Sequence, residues 1–167
     1  MAYTNKIYVA FDADNDIRYY RLMQAWKQND NTLFNFYDAH DLNNLMPYST
    51  EETIKAKLRE RLQNTKLFIL LVGDNTKYLY KFVRWEIEQA IKREIPIIVI
   101  NLNGKRSKDS NLCPSILTRE LVLHVSFNQK IISKGINEWP TLAENFKKNN
   151  EIDDYYYKES IYTNLGL

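Results

Sequence analysis

KLFILLVG, residues 66–73, is an unbroken apolar run of strand length. A strand with one face in water alternates polar and apolar residues. A strand without alternation is covered on both faces, as central strands of parallel sheets are. A second such run, IPIIVINL, follows at residues 95–102, and YKFVRWEIEQAIKRE (residues 80–94) lies between them with apolar residues at helical spacing. Strand, helix and strand in that order form a crossover unit of a parallel sheet.

Outward from this unit the same alternation continues. KIYVAF (6–11) and LFNFYD (33–38) read as strands, separated by a helix over about 16–27 with Ile17, Tyr20, Leu22 and Met23 inward and Asp14 or Asn15 as its cap. AHDLNNLMPYS (39–49) is a long polar loop. Ser49 or Thr50 then opens a helix whose first turn is acidic and whose buried stripe is Ile54, Leu58 and Leu62. Downstream, LVLHV (121–125) is a short last strand, and EWPTLAENFKK (138–148) a closing helix with Pro140 in its first turn. The pattern predicts an α/β fold: a flavodoxin-like, parallel five-stranded sheet of order 2-1-3-4-5 with helices on both faces. It predicts one domain over residues 1–167, with residues from about 127 to 167 forming a helical, tyrosine-rich extension packed on it. Ligands of such sheets bind beyond the carboxyl ends of the strands, which sets Asp12, Asp38, Asp74 and Asn101 along one rim.

Bulk properties exclude several classes. Lys and Arg total 23 against 21 Asp and Glu, and the basic residues are scattered, so no nucleic-acid surface is expected. The single cysteine, Cys113, rules out an internal disulfide and points to a reducing compartment. There is no apolar run of membrane-spanning length and no signal-peptide pattern, so the expectation is a cytoplasmic protein without a membrane partner. With two histidines, His40 and His124, no zinc spacing exists, and four glycines form no phosphate-binding loop. The stretch DYYYKESIY (154–162) reads as tail packing rather than a binding motif.

One residue breaks the helical pattern of residues 80–94. At about 100° per residue, Leu79, Val83, Ile87, Ala90 and Ile91 form an apolar arc, and Glu86 falls inside it beside Phe82. A buried, unpaired carboxylate is costly, so Glu86 is paired, neutral or open to a cleft. Periodicity leaves a structural role and a functional one evenly balanced. Glu88 is an ordinary surface acid. Trp85 lies on the polar side, either under a loop or at a protein contact. The acids of DADND (12–16) fit loop and cap chemistry better than a Mg²⁺ site on Asp12 and Asp14. A phosphoacceptor role for Asp74 lacks a well-placed lysine, since Lys130 lies too far along the chain. Cys113, in NLCPS, reads as an incidental loop residue.

Four segments together carry a resemblance: KIYVAFDADND, FNFYDAHDLNNL, LFILLVGDNT and YKFVRWEIEQAI. In order and spacing the chain resembles TIR-like domains, in particular the stand-alone bacterial type that forms the B subunit of Thoeris anti-phage systems. The likeness covers roughly residues 6–102. TIR domains commonly carry an aromatic residue, usually Trp, four residues before the catalytic glutamate. Here those positions are Phe82 and Glu86, so the spacing holds and the aromatic departs.

The resemblance implies an enzyme that cleaves the nicotinamide–ribose bond of NAD⁺ to make a linear, cyclic or conjugated ADP-ribose signal. Glu86 is then the catalytic acid, and Phe11, Asp12, Asp38, Asp74 and Phe82 are candidate substrate-binding residues. NAD⁺ enters as substrate, and neither a cofactor nor a metal is implied. An effector protein is reached through the diffusible nucleotide, and both a homo-oligomer and a phage-derived trigger are compatible with the scheme. The alternative is a TIR-like module that only binds other proteins, in which Trp85 and the tyrosine-rich tail matter more than Glu86.

Overall fold

Strands β1 (Lys6–Ala10), β2 (Asn35–Tyr37), β3 (Leu67–Val72), β4 (Ile97–Asn101), β5 (Val122–Ser126) and β6 (Asp154–Tyr156) form one sheet in a computed structural model that describes residues 6–29, 35–37 and 50–167. Its order is β2-β1-β3-β4-β5-β6, and every neighbouring pair is parallel. Five α-helices accompany the strands among the described residues: α1 (Ile17–Gln28), α2 (Glu51–Gln63), α3 (Val83–Lys92), α4 (Gln129–Lys148) and α5 (Glu159–Asn164).

The unbroken apolar runs fold as their composition requires. Every residue of β3, β4 and β5 is buried. Successive side chains point to opposite faces, so each run feeds two cores. Ile7, Val9, Ile69, Leu71, Ile98 and Val125 meet α1, α4 and α5 on one face. Tyr8, Ala10, Phe68, Leu70, Val72 and Val99 meet α2 and α3 on the other. Complete burial of each large aliphatic side chain contributes about 1.5–3 kcal/mol. The flavodoxin-like class is the one that the sequence pattern predicts.

Several local expectations are corrected. The tyrosine-rich tail supplies a sixth strand, β6, which extends the expected five-stranded sheet beyond β5. Three residues are too few to show alternation, which is why the pattern hides it. Tyr155 stacks on Phe146 of α4 with ring centroids 4.3 Å apart, and Asp154 bonds His124 Nε2 at 3.1 Å, so the edge strand is tied to both neighbours. Helix α4 begins at Gln129, where the Asn128 side chain accepts a bond from the Lys130 amide, and Pro140 lies in its interior. A proline there removes one backbone bond, while Ile136, Trp139 and Ala143 around it bury the helix against the sheet. Gly135 permits close approach, since a Cβ there would meet Leu123 Cδ2 at 3.3 Å. In α1, Tyr20 and Met23 are buried as expected, Leu22 is exposed, and Asp16 is the cap residue. Thr50 caps α2 by accepting from the Thr53 amide at 3.2 Å.

Candidate functional site

Helix α3 starts shortly beyond the carboxyl end of β3, after a loop closed by the Gly73 amide donating to Thr76 Oγ1 at 2.9 Å. That loop orients the helix so that Val83, Glu86, Ile87 and Ala90 face the sheet. Glu86 is therefore buried, 7% exposed, in the first turn of the helix. The helix has no side-chain cap, and the positive end of its dipole favours a negative charge there. No lysine or arginine among the described residues pairs with the carboxylate.

Burial raises the Glu86 pKa from 4.5 to about 7, and the Tyr8 hydroxyl acts in the opposite direction without offsetting it. Tyr8 reaches the carboxylate from strand β1, outside strict hydrogen-bond geometry. Burial first, and then the Glu86 charge, push the tyrosine's own pKa well above its usual value. Its ring is held by stacking on Phe68 at 5.5 Å. Glu86 is thus a carboxyl group balanced between its two protonation states near neutrality, the range in which an acid can act as either proton donor or anion. Glu88, two residues on, is exposed and lies 3.4 Å from Arg84.

The other residues of this helix divide clearly. Phe82 is half-buried on the Glu86 side of the sheet, with the Lys81 ammonium 5.5 Å from its ring centre. Trp85 packs against α2, where Lys55 and Arg59 approach its ring at 5.4 and 5.5 Å. It joins α2 to α3.

The rim acids are not equivalent. Asp12 is buried and accepts from the Asp14 and Asn15 amides at 3.1 and 3.3 Å and from Asn15 Nδ2 at 2.7 Å, a loop-closing role. Asp14 and Asp74 are exposed, and Asp38 lies outside the described residues. Phe11 stacks on Tyr20 at 4.7 Å in the core of the opposite face, so its ring is not brought beside Glu86. Asn101 is buried and donates to the Lys105 and Ser107 carbonyls, holding the loop after β4. Asp109 anchors the same loop. Burial opposes its charge, but bonds from Asn103, Lys105 and the Leu112 and Asn111 amides prevail and hold it at about 2.

Two residues that the sequence pattern does not single out belong to this region. Tyr8 is one. Asp16 is the other: its carboxyl lies against Gly73, where a Cβ would come within 2.4 Å of Oδ2. Burial, then Asp12 and Asp74, raise its pKa. Alternation along β1 pairs Tyr8 with Ala10, but only the completed sheet says which helix they meet.

Groups with other potential chemistry are occupied elsewhere. Lys130 donates to the Leu165 carbonyl at 2.9 Å, away from Asp74. Cys113 is buried, with burial pushing its thiol up to about 11. Among the described residues no group of three or more His, Cys, Asp or Glu is arranged to hold a metal ion, and no helix is long and apolar enough to cross a membrane. A cavity of about 280 Å³ lies at the far end of the sheet, against Ile95 and Leu121, and is separate from Glu86.

The chain is similar to a solved structure described as a conserved protein from Enterococcus faecalis V583, with 19% identity, a TM-score of 0.49, and coverage of 95% of this chain and 94% of that one. The family model of the Thoeris protein ThsB TIR-like domain matches residues 8–107, a span that takes in β3, β4, most of β1 and the whole of α3 with Glu86. That match covers more than half of the chain, and the chain accordingly belongs to the ThsB TIR-like family, a module of Thoeris anti-phage defence.

Proposed function

We propose that this protein is an enzyme that cleaves the nicotinamide–ribose bond of NAD⁺ and so makes an ADP-ribose-derived signal, cyclic or conjugated, for an effector of anti-phage defence. The observation that carries the reading is Glu86: a buried carboxyl without a cation partner among the described residues, in the first turn of a helix at the ligand-binding end of the sheet. Burial of a carboxyl used only for structure is normally offset by its partners, and the Tyr8 hydroxyl that reaches Glu86 does not offset it.

The chemistry needs one acid. As the C–N bond breaks, its electron pair goes to the nicotinamide ring, which leaves neutral, and positive charge develops on the ribose. A carboxylate beside the ribose stabilises that charge and can accept bonds from the ribose hydroxyls. Phe82 is the aromatic neighbour on the same face, and Asp12, Asp38 and Asp74 are the candidate polar groups of the rim. The ribosyl carbon is then taken by water, by a nucleophile of the same molecule, or by a second acceptor, which sets the product.

Glu86→Gln keeps the size of the side chain and removes the charge. Nicotinamide release from NAD⁺ is expected to fall at least about 100-fold, the scale of losing one group that stabilises transition-state charge, while the circular-dichroism spectrum stays unchanged. Full activity in Glu86→Gln would sink the reading. The exposed rings of Tyr78 and Tyr80 beside α3 favour the second reading, a protein-binding module. Under it, Tyr80→Ala abolishes defence and Glu86→Gln leaves it intact.

A further inference from the structure

We propose that Tyr8 is the positioning residue of the Glu86 site: its hydroxyl, presented from β1, binds one carboxylate oxygen of Glu86 and leaves the other for a ribose hydroxyl. The inference rests on the reading of Glu86 as the acid that works on the ribose.

The placement of Tyr8 carries it. The residue stands inside β1, is fully buried, and belongs to the face of the sheet that α3 covers. Its ring is fixed by stacking on Phe68, its register partner in β3, with centroids 5.5 Å apart and planes at 11°. The hydroxyl oxygen is out of reach of solvent and closes no hydrogen bond of strict geometry. A phenylalanine would fill the same space without burying an unsatisfied donor. What distinguishes this donor is its neighbour, the buried carboxyl of Glu86.

The two groups act on each other. Burial raises the Glu86 pKa, and the bond from Tyr8 lowers it. Burial, then the Glu86 charge, raise that of Tyr8. Tyr8 therefore keeps its proton throughout the range in which Glu86 titrates, and it serves Glu86 as a donor. Other charges on this face lie farther out. From α2, Arg61 acts on Tyr8, while Leu58 and Leu62 are apolar. Lys81 and Arg84 on the outer side of α3 lie at Glu51 and Glu88, and the charged neighbours of Cys113 are Lys108, Asp154 and Asp109. A hydroxyl bonds an ionised carboxylate more strongly than a neutral acid. Tyr8 thus opposes burial and favours the form of Glu86 that stabilises a cationic ribose.

Tyr8→Phe keeps the ring and its stacking while removing the donor. Without the donor the Glu86 pKa rises further, so the acid limb of kcat/KM for NAD⁺ is expected to move to higher pH. The variant then loses at least about threefold more activity at about pH 6 than at about pH 9. Carbon NMR without NAD⁺ reads the same pair directly. The Glu86 δ-carbon midpoint is expected to move upward in Tyr8→Phe. In the wild type the Tyr8 ζ-carbon is expected to shift at the Glu86 midpoint, and to lose that step in Glu86→Gln, a comparison that needs no Tyr8 variant. A loss of activity equal at all pH values, an unmoved Glu86 midpoint, or a Tyr8 resonance that ignores the Glu86 titration overturns the proposal. Absence of NAD⁺ cleavage by the wild type would instead overturn the reading of Glu86, and the carbon spectra decide the pairing of Tyr8 with Glu86 by themselves.

Discussion

Glu86 joins a local misfit in the sequence to a property that can be titrated. Its folded pKa of about 7 lies above its ordinary value of 4.5. A group raised in this way contributes stability that is fully present below pH 4.5 and is lost as pH rises through 7. Integrated over that shift, the wild type gives up roughly 3 kcal/mol between about pH 4.5 and about pH 8 that Glu86→Gln does not. Thermal melts at about pH 5 and about pH 8 check this: the variant gains on the wild type at the higher pH, and equal differences at both would count against it. The same acid must be ionised to stabilise a cationic ribose, so kcat/KM for NAD⁺ is expected to fall with unit slope below about pH 7. Glu88→Gln, removing only an exposed partner of Arg84, is expected to change stability or activation energy by no more than about 0.5 kcal/mol. The helical wheel alone makes Glu86 legible as misplaced. It does not reveal Tyr8, which belongs to another element, nor that Phe11 points to the opposite core, because alternation assigns faces only relative to each other.

Among the elements, α2 and α3 act as a pair. Leu58, Leu62, Val83 and Ile87 bury their common face, and Trp85 closes the outside beside Lys55 and Arg59. Trp85→Ala removes that closure and two cation–ring contacts, each worth about 0.5–1 kcal/mol at an exposed site. A loss of about 1–2 kcal/mol in urea unfolding is expected, and an unchanged midpoint would contradict the packing role. Trp85 is legible in the sequence as an aromatic residue on a polar face. Its partner is not, because periodicity along one helix does not say which other helix lies beside it. Helix α4 illustrates a different limit. Pro140 resembles a helix start, yet Ile131, Ile132 and Ile136 upstream of it carry the apolar stripe that makes the helix 20 residues long.

Across the whole molecule, the unbroken runs 66–73 and 95–102 specify a covered parallel sheet, and they read correctly because central strands leave no face for water. The tail is less legible. Its strand is three residues long and is recognisable only by what it contacts: β5 through backbone pairing, α4 through Tyr155, and the loop after β4 through Lys108 bonded to Asp154 at 3.0 Å. Tyr162 in α5 is fully buried. Deleting residues 151–167 should therefore uncover the edge of β5 and the face of α4, and give aggregated protein on gel filtration rather than a smaller soluble domain. A soluble, cooperatively melting truncation would show the tail to be an accessory.

Everything proposed for the site turns on whether Glu86 breaks the nicotinamide–ribose bond. The decisive measurement is mass spectrometry of nicotinamide and ADP-ribose derivatives in phage-infected cells that express either the wild type or Glu86→Gln at matched levels. NAD⁺ loss with nicotinamide and an ADP-ribose product is expected in the wild type, and neither in the variant. The same products at the same rate from Glu86→Gln would contradict the assignment.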